Sequence, residues 1–400
     1  MIPSNPCVNA LVLIATLFGL TACDNTANNQ NKFKLVELKN ENLNLESKLE
    51  HASRVISEMQ NTQYGNIREL VVTEPAKFKD SGNTLEDVKD RKRLRCGGNA
   101  DLPGFGYLSP DDSQFSGFDI DICRGIAAAT LGTQGADLYE VIPLTSRLRF
   151  SALQSGQVDV LTRNTTWTLS RDSEFRANYA GITFYDGQGV LVRNDSEFNR
   201  ISELEKQSIC VQEGSTSALN IAAYFKSLDK QVEISAHLDR VAALESYDKG
   251  ICEAYTADKT SLMVQKVLLS EPNEHHLLEG DISREPLGPV VRHGDDNWRD
   301  IVFWTVQCML NAELYGISIE NVDNFLETED SAIALLLGIE GKLGEKLGLS
   351  SDFCYQVVKQ VGNYEDIYER HLGYKSKFSF PRTTNALYTD GGLFYPLPFR

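Results

Sequence analysis

The chain has 400 residues, of which 42% are hydrophobic, and its formal net charge is -17 at pH 7. This length accommodates two to three compact domains, and the composition is that of a globular protein rather than a disordered one. The negative charge argues against a nucleic-acid-binding protein, which would present a basic surface to phosphates, so we expect no nucleic-acid partner.

An apolar run, residues 10–20 (ALVLIATLFGL), lies close to the start of the chain. It is short for a membrane span and has the length of a signal-peptide core. It leads into LTAC at residues 20–23, which resembles the lipobox of bacterial lipoproteins, where small residues precede a cysteine that becomes lipidated. We predict a signal peptide over residues 1–22 and a lipid on Cys23; the alternative is an ordinary signal peptide with an incidental cysteine. Lipidation would make the protein periplasmic and membrane-anchored, and Asp24 after the cysteine favours the inner membrane.

A polar tether at residues 23–31 precedes a segment, 32–60, whose apolar residues recur at heptad spacing. Its a and d positions are Leu35, Leu38, Asn42, Leu45, Leu49, Ala52, Ile56 and Met59. A single asparagine at an a position is typical of a coiled coil, in which it fixes the register. A parallel homodimer would place like charges opposite each other. Three alternatives therefore stay open for this stalk: antiparallel self-association, pairing with a different protein, or a single helix lying on the domain. A linker over residues 61–83 follows.

Short strands alternate with helices in the remainder of the chain. The sequence predicts strands at residues 94–97, 158–162, 189–193, 208–212 and 253–256, and helices over 118–131 and around 303–314. This alternation is typical of parallel α/β sheets, which bind ligands beyond the carboxyl ends of their strands.

Polar residues follow three of these strands, in the segments 159–172 (DVLTRNTTWTLSRD), 211–217 (VQEGSTS) and 255–258 (YTAD). Together with residues 117–121 (GFDID), these segments resemble the polar amino-acid family of bacterial solute-binding proteins. Three narrower motifs are similar to the general L-amino-acid-binding branch of that family: YDGQG at 185–189, EPLGP at 285–289 and KQVGNY at 359–364. The resemblance covers residues 84–400.

The resemblance implies an α/β, two-lobe periplasmic-binding-protein fold of type II. The lobes would be joined by crossings near residues 185–190 and 284–290. The first lobe would combine residues 84–186 with 288–400, the latter including a C-terminal extension, and the second would span residues 187–287. A ligand in the cleft would close the lobes by a hinge motion.

The resemblance also assigns ligand-binding roles, and the chemistry of an amino-acid zwitterion suits them because an unpaired ion is costly to remove from water. Arg171 matches the family's carboxylate-binding arginine, whose planar fork suits two oxygens. Asp258 matches the acidic group that accepts from the ligand ammonium. Thr166 supplies a hydroxyl and an N–H beside Arg171, while Ser215 and Thr216 lie where a helix N-terminus offers amide donors.

Three further residues of the first polar segment, Arg163, Asn164 and Trp167, are candidates for contact with the ligand. Arg163 and Asn164 would face the ligand side chain, in which case Arg163 favours acidic or amide side chains, and Trp167 would form a pocket wall. Simpler interpretations stay open: Arg171 as a surface pair with Asp172, Asp258 as a helix N-cap, Trp167 as core packing, and Arg163 bound to a carboxylate of its own lobe such as Asp119.

Six cysteines remain once Cys7 leaves with the signal peptide and Cys23 carries lipid: Cys96, Cys123, Cys210, Cys252, Cys308 and Cys354. In an oxidising compartment they permit three disulfides in fifteen pairings, with buried thiols as the alternative. The family resemblance suggests the pairs Cys210–Cys252 and Cys96–Cys123, which leaves Cys308 with Cys354.

The predicted function is therefore extracytoplasmic binding of free L-amino acids, with polar, acidic and amide side chains favoured. The ligand would pass to an ABC permease in the inner membrane, and we expect no enzymatic activity, no metal and no cofactor. One alternative is a lipoprotein sensor that signals through its helical stalk. Another is a dehydratase on the same fold, which needs a general acid in the cleft, where Glu213 is the one carboxylate available from the sequence.

Overall fold

The computed structural model describes residues 82–400. The predicted signal peptide, the lipid on Cys23, the tether, the stalk and nearly all of the linker lie outside these residues, so these features stay predictions. Within residues 82–400 no helix is both long enough and apolar enough to cross a membrane.

Fourteen strands are present in the described residues, and most are short. In chain order, β1 to β14 are Leu94–Gly98, Asp101–Leu102, Gly106–Leu108, Phe115–Ser116, Tyr139–Pro143, Val160–Leu161, Ala177–Tyr179, Phe184–Arg193, Ser208–Gln212, Glu233–His237, Ala254–Asp258, His275–Leu277, Arg284–Leu287 and Val290–Arg292.

Twelve α-helices accompany these strands in the same part of the chain. In chain order, α1 to α12 are Thr84–Arg91, Phe118–Leu131, Arg149–Gln154, Leu169–Ser173, Thr216–Ser227, Arg240–Asp248, Lys259–Gln265, Asp296–Leu314, Ser331–Leu337, Leu343–Lys346, Phe353–Gln360 and Tyr364–His371.

The strands form two principal sheets, and we call the parts that hold them the first and second lobes. The first sheet has the order β5-β1-β6-β14-β7, and the second has the order β10-β9-β11-β8-β12. Each sheet contains three parallel strands and two that run antiparallel to their neighbours. The predicted parallel pairing therefore holds for three strands of each sheet, and the other two are antiparallel. A strand that crosses from one lobe to the other enters its new sheet from the opposite direction and pairs antiparallel.

The two crossings between the lobes lie side by side. Strand β8 pairs through its first half with β13, from Phe184 opposite Leu287 to Gly187 opposite Arg284. Its second half continues into the second sheet beside β11. The predicted two-lobe α/β fold is confirmed, with a two-stranded ribbon as the connection between the lobes.

The first lobe is built around helix α2, which is buried on almost every face. Its run of isoleucine and alanine explains this burial, because a helix that is apolar all round has no face for water. Helices α8 and α11 pack against it.

Three disulfides reinforce the lobes and match the pairs that the resemblance suggests: Cys96–Cys123, Cys210–Cys252 and Cys308–Cys354. The first joins β1 to α2, the second joins β9 to the residue two positions before β11, and the third joins α8 to α11. Because each bridge stays within one lobe, none of them restrains movement between the lobes.

Candidate functional site

A small polar pocket lies between the two sheets. The first lobe lines it with side chains that follow β5 and β6, and the second lobe with side chains that follow β9, β10 and β11. Its lining residues are Ser146, Arg149, Asn164, Thr166, Arg171, Gln212, Ser215, Thr216, Ser217, Arg240, Tyr255, Thr256, Ala257, Asp258 and Ser261. Six of the eight predicted ligand-binding residues are among them.

Arg171 is a buried cation at this pocket. It lies on the short helix α4, which Thr168 caps by accepting from the Arg171 N–H at 3.3 Å. Its Nη1 donates to the backbone oxygen of Thr166 at 2.8 Å, and its guanidinium lies 5.6 Å from the centre of the Phe150 ring. Arg171 is 5% exposed and forms no ion pair with any described residue, so the alternative of a surface pair with Asp172 is wrong.

Asp258 is a buried anion at the same pocket. It occupies the N-cap position of α7, but its side chain makes no capping hydrogen bond. The carboxylate of Asp186 accepts from the N–H of Thr260 at 3.2 Å instead. The Asp258 carboxylate accepts from Nδ2 of Asn164, across the cleft, at 3.1 Å. Burial, together with the nearby charge of Glu285, raises the pKa of Asp258 to about 6.

The second lobe adds the N-terminus of α5. Ser215 is the N-cap, accepting from the N–H of Ala218, and Thr216 is the first helical residue. Gly214 precedes them with φ +71°, and a Cβ at this position would lie 3.1 Å from the backbone of Arg147 in the first lobe. The two lobes therefore approach each other closely at this rim, and only glycine fits the turn without strain.

Two predicted residues, Arg163 and Trp167, do not line the pocket. Arg163 is buried, and its Nε and Nη2 donate to Oδ1 of Asn99 at 3.2 and 2.7 Å. The prediction that Arg163 contacts the ligand side chain is corrected accordingly, because a first-lobe amide holds the guanidinium. Trp167 stacks on Tyr179, with ring centres 5.0 Å apart, and supports the Thr166 loop from behind.

Arg149 and Arg240 are pocket residues that the sequence analysis missed. Arg149 is 3% exposed, its Nε has no hydrogen-bond partner, and Nη1 reaches only the Thr165 hydroxyl at 3.4 Å. Burial and the neighbouring arginines lower the pKa of Arg149 well below its usual value. Each arginine follows a strand that was not predicted, β5 or β10. The alternation of YEVIP at 139–143 was the signal that could have revealed the first of them.

Polar contacts across the cleft show that the lobes are closed. Arg240 of the second lobe donates to Asp101 of the first at 2.7 Å, and Ser146 donates to Gln212 at 3.1 Å. The Asn164–Asp258 bond is a third contact of this kind. Closure excludes water and strengthens each electrostatic interaction inside the pocket.

The two lobes are joined by a two-stranded ribbon and closed over a pocket. That pocket holds a cation and an anion that have no charged partner among the described residues. This arrangement defines a two-lobed ligand-binding protein of the periplasmic type. Residues 94–318 match the model of the bacterial extracellular solute-binding proteins, family 3. The chain belongs to that family.

Two relatives and one solved structure show the range of similar proteins. The general L-amino acid-binding periplasmic protein of Rhizobium johnstonii is 43% identical over 325 residues, which cover 80% of this chain and 94% of the relative. The glutamate/glutamine/aspartate/asparagine-binding protein of Rhodobacter capsulatus is 40% identical over 322 residues, with the same two coverages. A periplasmic binding protein of an ABC transporter from Brucella ovis, solved with glutathione bound, is 41% identical. The match has a TM-score of 0.77 and covers 80% of this chain and 100% of that one.

Proposed function

We propose that this protein binds free L-amino acids outside the cytoplasm and delivers them to an ABC-type importer. The observation that carries the proposal is the charge arrangement of the pocket: within residues 82–400, Arg171 has no carboxylate partner and Asp258 has no cationic one. Both are buried, and a buried unpaired ion is costly. A zwitterion would supply the missing partner to each, its carboxylate to Arg171 and its ammonium to Asp258.

The similar proteins support the same ligand class. The relatives from Rhizobium johnstonii and Rhodobacter capsulatus are named for L-amino acids in general and for glutamate, glutamine, aspartate and asparagine. A relative from Escherichia coli, 42% identical over 324 residues, is named a putative amino-acid ABC transporter-binding protein, which supports a permease as the partner.

Arg149 indicates which side chains the pocket prefers. Once the ligand's own carboxylate has paired with Arg171, the Arg149 guanidinium still has no charged partner in the part of the chain that the structure describes. An acidic side chain would neutralise it, and an amide would accept a hydrogen bond from it. We therefore propose that acidic and amide side chains are favoured, the preference first ascribed to Arg163, and that Ser146 and Gln212 complete this part of the pocket.

The proposal is tested by calorimetric titration of the full chain with the twenty L-amino acids, after unfolding and refolding have removed carried-over ligand. We expect one-to-one binding of several of them, acidic and amide ligands being the tightest. Arg171→Ala and Asp258→Asn should each weaken binding at least 100-fold, or about 3 kcal/mol, as expected when one partner of a buried charge pair is lost.

Matched controls separate a loss at the site from a loss of fold. Arg93→Ala removes an exposed arginine and Asp281→Asn an exposed carboxylate, and neither residue lines the pocket. We expect both controls to bind like the unmodified protein. A folded protein that binds none of the twenty amino acids would contradict the proposal. Turnover of prephenate or arogenate would also contradict it and would favour a dehydratase.

We also propose that lipid on Cys23 holds the protein at the periplasmic face of the inner membrane, with residues 32–60 as a helical stalk. The LTAC motif and the heptad pattern support this. Cys23→Ser should move the protein from the membrane fraction to the soluble periplasmic fraction. The mass in solution, with and without residues 32–60, reports self-association, and uptake by the truncated protein distinguishes a carrier from a sensor that needs its stalk.

A further inference from the structure

A second buried carboxylate, Glu285, lies on the crossing strand β13 and borders the ligand pocket. It is 2% exposed. Its hydrogen-bond partners are all neutral, and it forms no ion pair within residues 82–400. An ionised carboxylate in such a place is costly unless hydrogen bonds replace its water. The identity of those donors therefore indicates what the charge does.

Glu285 binds side chains of both lobes at once. Its Oε2 accepts from the hydroxyl of Thr166, in the first lobe, at 2.5 Å, and from the hydroxyl of Thr216, in the second, at 3.1 Å. Its Oε1 accepts from Nδ2 of Asn220 on α5 at 2.8 Å and from Ser283 on its own strand. This set of bonds is complete only when the lobes are closed, because Thr166 and Thr216 belong to opposite sides of the cleft.

The bonds to Glu285 fix the polarity of the two threonine hydroxyls that line the pocket. A hydroxyl has one hydrogen to donate and two lone pairs to accept with. Since the hydrogen of Thr166 is directed to Glu285, its oxygen offers lone pairs to the pocket. The Thr216 hydroxyl lies 3.1 Å from Glu285 and 3.4 Å from the Thr166 oxygen, and it donates to the carboxylate because that acceptor is both closer and charged. Lone pairs attract an ammonium group and repel a carboxylate. The charge of Glu285 also acts on Asp258, whose pKa is raised first by burial and then by Glu285.

We propose that Glu285 is a positioning residue that selects for the α-ammonium group of the ligand. It holds the hydroxyls of Thr166 and Thr216 as acceptors and places a negative charge directly behind them. This inference rests on the proposed function, because it concerns the orientation of an amino acid in that site. It also couples recognition to closure, since one carboxylate joins both lobes.

The test compares two ligands that differ only at the α-position, L-glutamate and (S)-2-hydroxyglutarate, which carries a hydroxyl in place of the ammonium. Calorimetry at pH 7.5 gives both dissociation constants for the full chain and for Glu285→Gln, which keeps the shape but removes the charge and adds a donor. We expect Glu285→Gln to raise the dissociation constant of L-glutamate at least tenfold and that of the hydroxy acid less than threefold. The control Asp281→Asn removes an exposed carboxylate of the same connection and should leave both constants unchanged.

An equal loss of affinity for both ligands, or no loss of affinity for either, would overturn the proposal, because a residue with a purely structural role does not distinguish an ammonium from a hydroxyl. Glu285→Asp is the second variant if the glutamine protein does not fold. It keeps the charge, but its shorter side chain cannot reach Thr166, and the same selective loss is expected.

The route through Thr166 is tested by a double-mutant cycle with Thr166→Val and Glu285→Gln. Because the two residues act through one hydrogen bond, we expect the double variant to lose less L-glutamate affinity than the product of the single losses. Additive losses would refute this route. Failure of the unmodified protein to bind any L-amino acid would instead refute the proposed function, a result visible before any variant is made.

Discussion

Ligand binding should weaken in mildly acidic solution because of Asp258. In the closed protein without ligand, burial and then the charge of Glu285 raise the pKa of this carboxyl to about 6. A bound ammonium favours the ionised form, so the pKa in the complex falls towards the ordinary value of about 3.9. Binding therefore releases a proton wherever the free carboxyl is protonated. The affinity for the ligand is therefore at its maximum above pH 7 and decreases as the pH falls through 6.

The size of the effect follows from the difference between the two pKa values. With about 6 in the free protein and about 3.9 in the complex, the dissociation constant at pH 5 should be roughly tenfold larger than at pH 7.5, and about 0.8 proton should be released per ligand bound at pH 5. Two pKa units correspond to about 3 kcal/mol, so the weakening approaches 100-fold near pH 4.

L-Glutamine is the ligand for this measurement, because its side chain does not titrate. Calorimetry at pH 5 in buffers of different ionisation enthalpy gives the number of protons released, and titrations from pH 5 to 8 give the affinities. Burial and the charge of Asp258 raise the pKa of Asp186 to about 8, so that carboxyl stays protonated between pH 5 and 6.5, where affinity changes most, and titrates only at the upper end of the series. Equal affinities at pH 5 and 7.5 with no proton release would contradict a raised pKa for Asp258 that falls when the ligand binds. In Asp258→Asn the proton release should be abolished.

Three further predictions follow from the same geometry. Arg149→Gln should weaken the binding of L-glutamate, measured by calorimetry, at least tenfold more than the binding of L-glutamine, because only the acidic side chain loses a charge partner. Equal losses of affinity for the two ligands would contradict this. Asp101→Ala removes the 2.7 Å contact with Arg240 across the cleft and leaves every residue that lines the pocket in place. It should weaken the binding of every ligand alike by roughly 5- to 20-fold, or 1–2 kcal/mol. An unchanged affinity would show that this contact does not stabilise closure. Replacing Cys308 and Cys354 by serine opens a bridge of sequence separation 46 and should cost about 4 kcal/mol in the free energy of unfolding by denaturant titration. Binding at saturating ligand should survive that loss, because this bridge lies within the first lobe.

The sequence predicts the architecture well where a strand carries its own pattern. Strands β1, β9 and β11 and helix α2 lie within a residue or two of their predicted bounds, because each combines an apolar run with a glycine or polar break. Asp258 and Arg171 were identified through the family resemblance of motifs at strand ends. Their burial and contacts exclude the surface pair with Asp172 and the helix-capping bond.

The missed parts of the site share one physical cause. Arg149 and Arg240 follow β5 and β10, the outer strands of the parallel parts of the two sheets. Such strands bury only part of their surface, so their apolar pattern is weak.

Arg163 was misassigned because neighbours on an irregular loop point in different directions. Asn164 reaches across the cleft to Asp258, whereas Arg163 turns back to Asn99. Backbone geometry of this kind is not visible in residue types.

The central claim is that one pocket recognises both charges of an amino acid, and blocking each charge in turn tests it most directly. Calorimetry of the refolded full chain would compare L-glutamine with its N-acetyl derivative, which lacks the ammonium, and its α-amide, which lacks the carboxylate. We expect one-to-one binding of L-glutamine and an affinity at least 100-fold lower for each derivative, because the N-acetyl group leaves Asp258 without its partner and the α-amide leaves Arg171 without its partner. Binding of either derivative as tightly as L-glutamine would contradict it.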